Sequence, residues 1–172
     1  MSWLEAVSKE AGSIERLILA LVNSDEILRD KIWRHRARQV MRRLRTLYWH
    51  EGGTLKSLRE IAAGERPPDA RLQAVRAAFY ETDAAVNDAL GALAELARSE
   101  ETRLTFDDVE LLDGIVHDKT VIRETARGLL ESAASPQGPN AQDQADAAAL
   151  VARIETLNAA FRAADDRFRD DA

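Results

Sequence analysis

The feature that most constrains this chain is the recurrence of apolar residues at spacings of three and four along its long segments. Leu4, Val7, Ala11, Ile14, Ile18 and Leu21 advance by three, four, three, four and three. Positions so spaced share one face of an α-helix and can be turned together into a core. The pattern returns in Trp33, Ala37, Val40, Leu44 and Leu47, and again in Leu72, Val75, Phe79, Val86, Leu90 and Leu93. A fourth stripe runs through Val109, Leu112, Ile115, Ile122, Ala126 and Leu129. The last, Leu150, Ile154, Leu157, Phe161 and Phe168, is almost strictly heptad. No segment alternates apolar and polar residues over strand length, so the fold class read from the sequence is all-α.

Turn and capping residues divide these stripes. Asn23, Ser24 and Asp25 supply oxygens for the free amides of a new helix, placing a second long helix over 25–50. Gly52-Gly53 ends it, a short helix from Leu55 to Ala63 follows, and Gly64 with Pro67-Pro68 breaks the chain again before Asp69. Thr105 with Asp108 resembles a capping pair, and Pro136, Gly138 and Pro139 form the clearest loop, with Asn140 opening the last helix. The expectation is an antiparallel helical bundle of about four long helices plus a leading amphipathic helix, with residues 1–172 as a single domain. Each long helix would span on the order of 40 Å at 1.5 Å per residue, and matched lengths favour a bundle. Near-heptad stripes can also pair between chains, so self-association as a homodimer is a further expectation.

Composition limits the setting. A chain of 172 residues can bury a core without staples, and with no cysteine it has no disulfide or thiolate chemistry. The longest apolar run, Leu17 to Val22, falls far short of the ~20 residues that span a bilayer, and no basic region precedes an apolar stretch at the amino terminus. No membrane span and a cytoplasmic location are expected.

Charge is distributed unevenly. Between Arg29 and Arg45 eight basic residues face one acid, Asp30, so this stretch carries +7 within a net charge of −6 and the remainder carries −13. Arg34, Arg38, Arg42 and Arg45 share one helical face at spacings of four, four and three. Such a row can follow a phosphate backbone. It can equally pair with carboxylates, and the acidic tail containing Asp165, Asp166, Asp170 and Asp171 is one candidate partner.

Candidate chemistry centres on three histidines. His50 follows Arg45 as R-x4-H, and His35 follows Arg29 as R-x5-H with Asp30 directly after the arginine. These half-dozen residues resemble the arginine–histidine pattern of HEPN-type ribonucleases, helical bundles that commonly build a composite site across a dimer. The resemblance implies a histidine that assists proton transfer and an arginine that stabilises charge on the scissile phosphate, here His50 and Arg45. His50 also lies beside Gly52-Gly53, where the negative end of a helix dipole favours histidine without any catalysis. Asp113 and His117 share a helical face, but two ligands are too few for a metal site, and no Glu-x-x-His pair of a di-iron bundle occurs. No metal or cofactor is expected. Trp3, Trp33 and Trp49 are read as core or interface packing.

The first expectation for function is therefore a non-enzymatic helical bundle that binds protein partners, including copies of itself. The second is a nucleic-acid-directed protein, binding through Arg34, Arg38, Arg42 and Arg45 or cleaving RNA with Arg45 and His50.

Overall fold

A computed structural model describes residues 2–49, 53–98, 110, 113 and 121–169. Among the described residues the chain is all-helical and contains no strand. The helices with defined bounds are α1 (Trp3–Val22), α2 (Asp25–Arg29), α3 (Lys31–Trp49), α4 (Thr54–Ala62), α5 (Asp69–Arg98), α6 (Val121–Ala133) and α7 (Ala141–Arg167). None of them is long and apolar enough to cross a membrane.

Helix α7 organises the packing. Asn140 closes a capping box with Asp143: its Oδ1 accepts from the Asp143 amide at 2.8 Å, and the Asp143 carboxylate accepts from the Asn140 amide at 3.1 Å. The loop before it reverses at Gly138, whose φ of +73° is in the left-handed region open to glycine. From there Ala147, Leu150, Ile154, Leu157, Phe161, Ala164 and Phe168 are buried at alternating spacings of three and four. This stripe meets α4, α1, α3 and α6.

Helix α1 belongs to the core. A capping box between Ser2 and Glu5 starts it, and its buried residues include Leu17 and Ala20 as well as Val7, Ala11, Ile14, Ile18 and Leu21. A face that wide lets α1 pack against α7, α6 and α5 together. Only Leu4, at the first turn, leaves the expected stripe, with 39% of its surface exposed.

Three further expectations change. The helix placed over 25–50 is interrupted at Asp30, whose Oδ1 accepts from the amides of Ile32 (2.8 Å) and Trp33 (3.2 Å) and so caps a new helix. Its core face is Ala37, Met41 and Leu44, and Trp33 turns outward. Lengths are not matched either, since α3 has 19 residues, α5 has 30 and α7 has 27. Of the helix expected from Thr105, the part through His117 lies outside the described residues except for Glu110 and Asp113, both exposed.

Arginines tie helix to helix. Arg153 on α7 donates to both carboxylate oxygens of Glu15 on α1 (2.6 and 3.2 Å). Arg59 on α4 meets Glu155 on α7 at 2.7 Å, and Arg71 on α5 meets Glu60 on α4. A planar guanidinium suits such bidentate or bridging contacts better than an ammonium does, which gives the arginine-rich composition a structural use.

Candidate functional site

The four arginines that share a face on α3 turn largely towards their own chain. Arg34 donates from Nη1 to the Leu28 carbonyl at 2.7 Å, satisfying an open acceptor at the end of α2. Arg38 and Arg42, one turn apart, both donate from Nε to Asp165 Oδ1, at 2.9 and 3.0 Å. Asp165 sits in the last turn of α7, where the helix dipole disfavours an acid. Two guanidinium groups offset that penalty, and its side chain is only 14% exposed. Arg45 is half-buried, and its Nε is enclosed without a hydrogen-bond partner among the described residues.

Asp165 should therefore matter to stability. Charge-assisted hydrogen bonds contribute about 1.5–3 kcal/mol, discounted here because Arg42 is 58% exposed. Asp165→Asn is expected to cost about 1–2 kcal/mol in urea unfolding.

A different face of α3 is the one offered to solvent. Trp33, Arg36, Val40 and Arg43 follow three, four and three, and with Gln39 and Arg42 they form one wall of a groove of about 610 Å³. Helix α5 supplies the other wall through Ala89, Ala92, Glu95 and Leu96. The apolar lining is Val40, Ala89, Ala92 and Leu96, and the arginines line the α3 side. Arg36 lies over the Trp33 ring, 5.4 Å from its centroid, a cation–π contact that holds the partly exposed indole at the groove mouth. Among the described residues, neither Arg36 nor Arg43 meets a carboxylate within ion-pair distance.

Helix α3 thus carries two arginine faces, and apolar spacing alone does not separate them. Trp33 and Val40 share three- and four-residue spacings both with Ala37 and Leu44 and with Arg36 and Arg43. The informative signal was the high polarity around Trp33: a tryptophan preceded by Lys31 and followed by three basic residues in the next five is poorly suited to a core face.

Among the described residues the groove joins an apolar floor to a cationic wall, and no catalytic pair is assembled there. His50 lies outside the described residues, so the Arg45–His50 pair has no geometry here. In the other match Asp30 caps α3 through its carboxylate, and Arg29 and His35 are both exposed. His117 also lies outside the described residues, and among those described no group of three or more metal-ligating side chains forms.

Glu10 on α1 is 1% exposed, and its Oε2 accepts from the Ile122 amide at the start of α6 at 2.8 Å. Burial pushes its carboxyl up to about 7 from 4.5, against the opposing pull of the Ile122 and Val121 amides. Perturbed groups of this kind can mark active sites. Glu10 instead serves as a cap supplied from a neighbouring helix.

Comparison of the chain with protein families, curated proteins and solved structures finds no match.

Proposed function

We propose that this protein is a helical protein-binding module whose working face is the groove between α3 and α5. The carrying observation is the composition of that groove: a half-exposed tryptophan and three arginines around an apolar floor. Tryptophan and arginine are the residues most enriched among binding hot spots, because each covers a large area and keeps a polar handle. Aliphatic side chains beneath them provide the surface whose removal from water drives association.

The Asp165 contacts favour a protein partner over a nucleic acid. A phosphate tracker needs its cations outward and free, whereas Arg38 and Arg42 share one carboxylate and Glu95 lies in the groove itself. The negative remainder of the chain adds long-range repulsion.

A photo-crosslinking residue at Gln39 in the full chain tests the reading. Defined partner bands are expected from Gln39, to be lost on Trp33→Ala, and a crosslinker at Tyr80, 86% exposed on α5, should not give them. Identical bands from both positions, unaffected by Trp33→Ala, would sink the proposal. Anisotropy with single-stranded RNA at physiological salt is expected to show no binding.

A further inference from the structure

Charge and shape in the groove specify more than a generic partner. Along α3 the lining runs from Trp33 to Arg43, and along α5 from Ala89 to Leu96. At 1.5 Å per residue these walls are about 15 and 10 Å long, or about three and two turns of helix, so the longer one sets a length of about three turns. Two packed helices leave between them a channel that a third helix fills by setting its own side-chain ridge into it. The walls differ in sign: α3 brings Arg36, Arg42 and Arg43, and α5 brings Glu95.

From this, and resting on the protein-binding reading above, we infer that the groove receives an acidic amphipathic α-helix from another protein. The bound segment is about three turns long, with apolar side chains at i, i+3 or i+4, and i+7 seated on Val40, Ala92 and Leu96. Its acidic flank lies along Arg36 and Arg43, and its other flank, facing Glu95, is neutral or basic. Trp33 closes one end of the channel and packs on the first apolar residue of the helix. Arg42, already drawn to Asp165, adds less than the other two arginines. An anion without an apolar face would leave the floor uncovered, and an apolar helix without acids would leave two desolvated guanidinium groups unpaired.

The test uses the full chain and stapled three-turn peptides labelled with fluorescein. One peptide has leucines at the three anchor positions and glutamates on one flank. A second replaces the glutamates by glutamine, a third replaces the leucines by serine, and a fourth replaces the glutamates by lysine. Only the first is expected to bind well, with each other peptide weaker by about tenfold or more. Trp33→Ala and Arg36→Glu/Arg43→Glu should each weaken the first peptide at least about tenfold, and the double charge reversal should improve binding of the lysine peptide. Arg76→Glu is the control, placed on α5 about 20 Å along the helix from the nearest lining residue, and it should change nothing.

Equal binding of the serine peptide would mean a plain anion surface and overturn the inference, as would equal binding of the glutamine peptide. RNA that displaces the first peptide would overturn it in favour of a nucleic acid. A doubled mass in light scattering that Arg43→Glu returns to monomer would make the occupant a second copy and overturn it too. Should no peptide bind while Trp33→Ala still abolishes the Gln39 crosslinks, the inference fails and the protein-binding reading stands.

Discussion

Asp83→Ala is expected to destabilise the protein by about 3 kcal/mol, whereas Arg123→Met, which removes the larger and more deeply buried partner, should cost about 1 kcal/mol. Arg123 on α6 is 3% exposed and donates from Nη2 to the Phe79 carbonyl, the Thr82 hydroxyl and Asp83 Oδ1, all on α5. Its guanidinium lies 4.7 Å from the Phe79 ring centroid, and Arg127 adds a second donor to Asp83 at 3.0 Å. Removing Asp83 takes a carboxylate from a buried guanidinium whose other acceptors on α5, the Phe79 carbonyl and the Thr82 hydroxyl, are neutral, and weakening the compensation of a buried charge is costly. Asp83 is itself about one-third exposed, which sets the estimate at the low end of the usual range.

Methionine at 123 removes the charge along with its hydration cost and fills much of the same volume. Asp83 keeps Arg127, and Thr82 keeps its bond to the Ala78 carbonyl. Urea unfolding of the two variants checks the order. If Arg123→Met proves the more damaging, the interaction contributes net stability rather than fixing how α6 sits on α5. The double variant should resemble Arg123→Met, because once the buried cation is gone the carboxylate has lost its main purpose.

This polar layer explains a gap in the third apolar stripe. Between Phe79 and Val86 the helix makes a full turn with no apolar residue at the register position, where Thr82 and Asp83 stand instead. The gap was visible in the sequence, but its partner was not, because Arg123 is 40 residues from Asp83 and nothing local links them. The stripes of α1, α5 and α7 were legible for the opposite reason: burial of a whole face repeats every turn, so each residue reinforces its neighbours.

At α3 that redundancy failed. Arginines surround the helix, and their long stems can cover apolar surface from several directions, so the charge pattern did not distinguish core from solvent. Among its described side chains the buried core face is Ala37, Met41 and Leu44, with Val40 partly buried beside them. The break at Asp30 is not legible in the sequence, because an aspartate amid eight basic residues reads first as a charge and only second as a cap. The Arg38–Asp165–Arg42 bridge was anticipated in kind, with Asp165 among the named candidates. The groove was not, because it depends on which two helices lie side by side.

The second large effect lies at Glu10. Its carboxyl is raised from 4.5 to about 7, so between those pH values the folded protein holds a proton that the unfolded chain releases. Stability from this group is fully present below about pH 4.5, falls as pH rises, and is lost above about 7. At about 1.4 kcal/mol per pH unit across that window, the loss is on the order of 3 kcal/mol. Glu10→Gln should flatten this slope and make the protein more stable at pH 8 by about 2–3 kcal/mol. The amide oxygen can still accept from Ile122, so the cap on α6 survives while the charge that burial penalises is gone. Chemical unfolding at pH 5, 6, 7 and 8 reads both chains. A Glu10→Gln protein that is less stable than the parent at pH 8 would show that the ionised carboxylate is favoured at the α6 amino terminus. The helix dipole, not desolvation, would then govern this site.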